Sequence, residues 1–341
     1  MKKYGWLLCT LLLAVFSAKA QRPEVGKTYT NIGVHDPVMI QQGDTYFLFC
    51  TGTGIARWSS KDLKNWTFEK SVFATAPPWA VDTIPGFKNH IWAPDISYHN
   101  GLYYLYYSVS AFGKNTSAIG VATTPTLFTS DSNYKWTDHG RVIQSYPGIT
   151  NWNAIDPNII AGSKGRPYMM FGSFWDGLQL VRLSKNRLQV DGKPETIASR
   201  KAASSSVNPL AIDDNPKDAG GNAIEAPFIF KKNNYYYLFA SIDYCCKGPK
   251  STYKMIVGRS KKIEGPYLDK EGKSMATGGG SLVLQGNENW YGVGHNAVCS
   301  FNNTDYLIFH GYDAKDNGKS KLLIKPLSWD ANGWPVARLD E

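Results

Sequence analysis

Three carboxylates give this sequence its chemistry. Asp36 and Asp156 each directly precede a proline, and Glu225 stands two residues before one, in His-Asp-Pro, Ile-Asp-Pro and Glu-Ala-Pro. Hydrolysis of a glycosidic bond needs one carboxylic acid to protonate the leaving oxygen. It also needs one carboxylate to activate water or to attack the anomeric carbon. Glu225 is the natural acid: its side chain is the longer one, and Ala226-Pro227 gives it an apolar neighbourhood that favours the protonated form. Asp36 would then be the base, and Asp156 could orient the sugar and hold up the proton affinity of Glu225. An aspartate before a proline often does no more than cap a turn. Recurrence is what lifts these acids above that ordinary role.

The recurrence belongs to the strands that must position them. Five segments share one layout: a short polar motif, an apolar strand, a polar turn and an aromatic strand. They run from His35 to Gly52, Ala93 to Ser108, Ile155 to Ser173, Glu225 to Ser241 and Gly294 to Gly311. With Asp36, Asp95, Asp156, Glu225 and His295 as anchors, the spacings are 59, 61, 69 and 70 residues. Each unit offers a third strand, as in IARWSS, AIGVATT, LQLVRLS, MIVGRS and KLLIKPLS. Helical periodicity is nearly absent. Short strands alone would also suit a sandwich or jelly roll, but a fivefold recurrence predicts an all-β, five-bladed β-propeller. The first strand of each blade lines the central channel, so the five anchors are expected to meet at one end of it. No linker divides residues 21–341, which read as one domain.

Flat rings accompany the acids: Trp92 beside Asp95, Trp152 near Asp156, and Phe174-Trp175 after the third unit. Core packing is the ordinary explanation for aromatics on a pleated surface, yet Trp92 and Trp175 are expected to be platforms for sugar rings. The chain has 11 Trp, 20 Tyr and 15 Phe among 341 residues. At its start, Lys2 and Lys3 precede an apolar run to Phe16 and then Ser17-Ala18-Lys19-Ala20, the layout of an export signal cleaved before Gln21. The protein is therefore expected in the periplasm or outside the cell, with no membrane span. Losing Lys2, Lys3 and Lys19 takes the net charge from +9 to +6. No run of five or more like charges is present to suggest a nucleic-acid partner. Cys50 and Cys299 sit in strand-like apolar runs, while the adjacent pair Cys245-Cys246 has no redox assignment from sequence. With Cys9 in the export signal, the remaining four cysteines fit neither a disulfide framework nor a zinc pattern.

The motifs HDP at Asp36, WAPD at Trp92–Asp95, NAIDP at Asn153–Pro157, FGSFWDG at Phe171–Gly177, EAPF at Glu225–Phe228 and GHN at Gly294–Asn296 resemble glycoside hydrolase family 43. With DYCCKG at Asp243–Gly248, the set is similar to the endo-acting arabinanases of that family. The resemblance spans nearly the whole chain after residue 20. It implies an inverting mechanism, with Asp36 as base, Glu225 as acid and Asp156 as modulator of the acid. It implies substrate contacts at Gly113, at Asn153, Ala154 and Ile155, and at Ser173, Phe174 and Trp175. Trp92 and Asp95 join that expected substrate set. It implies a calcium ion on the axis with His295 as its protein ligand, which the residues alone do not suggest because calcium favours oxygen. The expected partner is arabinan, as in the side chains of pectin, cut by a monomer. An exo-acting arabinofuranosidase, a β-xylosidase and a non-catalytic sugar-binding propeller stay open as alternatives.

Overall fold

Strands rich in Tyr, Phe, Ile and Val, separated by tight Asn- and Gly-bearing turns, pair with their chain neighbours into antiparallel meanders. Asn100-Gly101 and Asn302-Asn303 hold both residues at positive φ (48° and 83°, 50° and 64°), as two-residue hairpins require. The computed structural model describes residues 22–201 and 221–339. The export signal assigned to residues 1–20, and much of the Lys-, Ser- and Asn-rich stretch between Lys185 and Gly221, lie outside the described residues.

Five sheets follow one another along the chain and form the blades of a β-propeller. Blade 1 is built on Val38–Gln42, Thr45–Cys50 and Ala56–Ser60, with Thr28–Tyr29 and Trp66–Phe68 outside them. Blade 2 is built on His90–His99, Leu102–Val109, Ser117–Thr124 and Thr137–Ser145, with the short Gly52–Thr53 at its inner edge. Blade 3 comprises Asn158–Ala161, Pro167–Phe171, Leu178–Arg182 and Glu195–Ala198. Blade 4 comprises Ile224–Lys232, Tyr235–Ile242, Lys254–Ser260 and Ser281–Gln285. Blade 5 comprises Trp290–Phe301, Thr304–Asp313 and Lys319–Pro326. The apolar clusters lie between blades. One joins blades 1, 2 and 5 through Phe49, Leu105 and Ile308; others join 2 to 3, 3 to 4 and 4 to 5. The ring closes where the Leu322 amide donates to the Ile32 carbonyl at 3.0 Å.

A second ring runs nearer the axis. Asp36, Ala93, Asp156, Ala226 and His295 all adopt left-handed backbone, with φ between 40° and 59°. That conformation is uncommon for residues other than glycine. It turns each amide toward the preceding blade. Ala93 donates to Thr51 Oγ1 (2.8 Å), Asp156 to Ser108 Oγ (3.0 Å) and His295 to Ser241 Oγ (2.8 Å). Asp36 donates to His310 Nδ1 (3.1 Å), and Ala226 donates to the Asp156 carboxylate (3.1 Å).

This ring shifts two anchors: Ala226, not Glu225, takes the ring position of blade 4, and Ala93, not Asp95, that of blade 2. Asp36 corresponds to Ala93, not to Asp95, which lies two residues further along its strand. Asp95 is buried and accepts from the Ile159 amide (2.8 Å) and Asn158 Nδ2 (3.2 Å) of blade 3. It straps two blades together and does not line the cleft, so its expected place among the substrate contacts is withdrawn. Asp95→Ala strands two buried donors and should cost about 2–3 kcal/mol of stability. Urea unfolding measures that loss, while kcat at saturating substrate should stay within about twofold of wild type.

Candidate active site

The left-handed turns that link the blades also aim side chains at the axis, where a cleft of about 1040 Å³ opens. Every blade contributes to its lining: Asp36 and Thr51 from blade 1, Trp92 and Gly113 from blade 2, Asn153, Asp156 and Ser173 from blade 3, Glu225 from blade 4 and His295 from blade 5. The three expected acids and His295 therefore do meet.

Asp36 is held from two sides. Thr51 Oγ1 donates to its Oδ2 at 2.5 Å, and His295 Nδ1 lies 2.9 Å from its Oδ1. Burial alone would raise the Asp36 carboxyl, but the charge and hydrogen bond of His295 outweigh it and hold the group well below the usual carboxylate range. Burial likewise works against charge on His295. The facing carboxylates, Asp36 first, reverse this and push the imidazole up to about 9. His310 also stands near Asp36, at 3.7 Å, but it is no ion-pair partner. Its Nδ1 accepts the Asp36 amide, so its proton sits on Nε2, 3.2 Å from the Tyr312 oxygen, and burial keeps the ring neutral.

Asp156 and Glu225 form the opposite case. Burial, then the nearby carboxylates, raises both groups, so near neutral pH the pair retains a proton. Asp156 accepts from the Ala226 amide, which has no other role, and this favours its anion. Glu225 Oε2 accepts from Ser173 Oγ at 2.7 Å, and Tyr253 also bonds the group, so donors act on both members of the pair. In three other blades the hydroxyl at Ser173's position receives the next blade's amide. Here Asp156 takes that amide, and Ser173 is released to orient Glu225. The site thus presents an ionised Asp36 on blade 1 and, on blades 3 and 4, an Asp156–Glu225 pair that shares a proton.

Among the other expected contacts, Gly113, Asn153, Ile155, Phe174 and Trp92 line the cleft. Ala154 does not: it is buried, with its amide on Ser145 Oγ. Trp175 reaches the cleft with only 3% of its surface exposed, too little for a stacking face, so the platform expected there passes to its neighbour Phe174. Trp152 packs edge-on against Phe171 at 5.2 Å and is a core residue. Sequence reasoning missed Thr51, His310, Tyr312 and the 82%-exposed Phe112 at the rim. The signal for Thr51 was present in the units themselves, whose second strands end in Thr51, Ser108, Ser173 and Ser241.

A model described as Glycosyl hydrolases family 43 matches residues 30–335. The chain is 51% identical over 332 residues to an extracellular exo-α-(1→5)-L-arabinofuranosidase of Cellvibrio japonicus, covering 97% of this chain and 92% of the relative. It is 44% identical over 306 residues to an extracellular endo-α-(1→5)-L-arabinanase of Bacillus subtilis, covering 89% and 87%. The fold superimposes with a TM-score of 0.85 on the Cellvibrio cellulosa α-L-arabinanase solved with arabinohexaose, at 49% identity and covering 90% and 96% of the two chains. Propeller, acids and relatives agree, and the chain belongs to glycosyl hydrolase family 43.

Proposed function

We propose that the protein is exported and cuts internal α-1,5 linkages of L-arabinofuranosyl chains with inversion at the anomeric carbon. The observation that carries this reading is the meeting of Asp36, in contact with His295 at 2.9 Å, and Glu225, bonded by Ser173, in a cleft walled by all five blades. Asp36 takes a proton from water as that water attacks. Glu225 gives its proton to the departing sugar oxygen, and Asp156 keeps its affinity high by charge. Export is supported by the relatives, two of which are named extracellular.

Endo action is the reading of the motif set around Asp36, Glu225 and DYCCKG, and it requires a cleft open at both ends past the acids. The specific observation for an exo mode is the name of the Cellvibrio japonicus relative. Early products from linear arabinan separate the two: mixed oligosaccharides are expected, and free arabinose alone would replace the endo reading by the exo one.

A calcium ion fits the axis in charge. Three carboxylates converge on His295 and raise its proton affinity, a field that supports a cation there, which would take the place of the imidazole proton. His295 would hold the ion, with water as the oxygen ligands that calcium prefers. Bound there, the ion supplies fixed positive charge beside the acids. In the same arabinan assay, chelation followed by dialysis should lower kcat about tenfold or more with little change in melting. Unchanged turnover in metal-free protein would remove the ion from the reading.

A further inference from the structure

The DYCCKG motif is not absorbed by acid and base chemistry. Cys245 and Cys246 are joined to each other as a disulfide, and Tyr244, Cys245, Cys246 and Lys247 all line the cleft. A bridge between neighbours closes a small ring through their shared peptide bond, so neither side chain can turn freely. It also replaces two thiol groups by an apolar, polarisable surface with no donor.

The turn is built to hold that surface in place. The Cys246 amide donates to the hydroxyl of buried Tyr312 at 2.7 Å, and the Lys247 amide donates to Ser251 Oγ at 3.1 Å. Tyr244 and Thr252 exchange two bonds: the Thr252 amide donates to the Tyr244 carbonyl (2.9 Å), and the Tyr244 amide to Thr252 Oγ1 (3.3 Å). Asp243 is clamped by Arg200 and Lys254, each at 2.8 Å. Asp243 and Cys246 have φ of 67° and 64°, a conformation that persists in such residues only where the surroundings fix it. Alongside, the rings of Phe174 and Tyr244 lie 6.1 Å apart, extending the apolar surface, and the Lys247 ammonium sits 3.9 Å over Tyr244.

The position of this surface follows from the register. Glu225 pairs with Ser241, and the turn begins directly after that strand ends at Ile242. The surface therefore stands on the blade of the acid, and the acid must touch the leaving oxygen. We propose that the Cys245–Cys246 disulfide, with Tyr244 and Phe174, is the contact wall for the departing part of the sugar chain and sets the preference for longer substrates. A rigid, donor-free face suits the C–H side of a furanose ring, which offers no hydrogen bond to satisfy. This inference rests on the arabinan reading above.

The test compares wild type with Cys245→Ala/Cys246→Ala on linear arabinotriose and arabinohexaose. The double variant should lose about tenfold in kcat/KM on arabinohexaose, mostly through KM, and much less on arabinotriose. Its cleavage positions along an end-labelled hexaose should shift. A second measurement does not depend on that variant: in Asp36→Ala protein, which leaves the sugar uncut, saturating arabinohexaose should slow phosphine reduction of the disulfide several-fold. Should the double variant not melt cooperatively, this protection decides alone. Wild-type kinetics and cleavage positions in a folded double variant, or reduction indifferent to the sugar, would overturn the wall. Wild-type enzyme that leaves arabinohexaose intact would instead overturn the arabinan reading beneath it.

Discussion

Asp36→Ala is expected to abolish turnover on every substrate, with kcat down about 10⁴-fold, the upper end of what a general base supplies. Of the three acids, only Asp36 is held as an anion by a cation in direct contact, His295 at 2.9 Å. Asp156 cannot replace it, since its carboxylate is committed to the Ala226 amide of the next blade. Asp36→Asn should lose nearly as much while keeping a group that accepts from Thr51, which separates basicity from shape. Both variants should bind arabino-oligosaccharide close to wild-type strength by calorimetry, because the loss lies in the chemical step. The same residue puts the proposed stereochemistry to the test. A carboxylate that activates water needs about 6.5–9.5 Å between the two carboxyls, whereas a nucleophile needs about 5–5.5 Å. On the inverting reading, with Asp36 on blade 1 and Glu225 on blade 4, water activated by Asp36 would attack the face opposite the leaving oxygen. Proton NMR of the first products should show β-arabinose. An initial α-anomer would take the base role away from Asp36.

The propeller was legible because strand order, turn residues and the fivefold recurrence are local properties of the chain. What misled was the alignment of the units on their acids. Backbone conformation aligns them on the residue before Pro37, Pro94, Pro157 and Pro227, which places Ala93 and Ala226 against Asp36. That register would have shown Asp95 two places too far along and Glu225 one place early. An early residue with one more methylene is what an acid on the far side of a channel requires, whereas Asp95 ends between blades.

The rest of the site was hidden because its residues act through other blades. Nothing local marks His310 as the acceptor for the Asp36 amide, 274 positions away. Nor does anything local mark Tyr312 as the anchor beneath Cys246. The exposure of Trp175 is likewise decided by neighbours: its carbonyl is tied to Asn222 Nδ2 at 2.8 Å, and the ring is packed away while Phe174 faces the cleft. Residue type announces a flat ring, but only the fold decides which ring is bare.

Glu225→Ala should divide substrates by their leaving group. Arabinan departs as an alkoxide unless it is protonated, so the variant should lose about 10³–10⁴-fold on it. An arabinofuranoside of a strongly acidic phenol needs no proton to leave, and the variant should hydrolyse it within about tenfold of wild type. The pH profile carries the same information. Burial, with a smaller contribution from Asp36, raises Glu225 above an ordinary glutamate, whereas His295 depresses Asp36. The acid must be protonated to work, so activity on arabinan is kept below its raised pKa and lost as the pH climbs through it. The base must be ionised, and its depressed pKa leaves it so throughout the mildly acidic range. Wild-type kcat/KM on arabinan should accordingly be flat through that range and fall on the alkaline side. With the acidic phenol as leaving group, or in Glu225→Ala, the alkaline fall should disappear. A variant equally crippled on both substrates, or an alkaline limb that survives the loss of Glu225, would mean that another group delivers the proton.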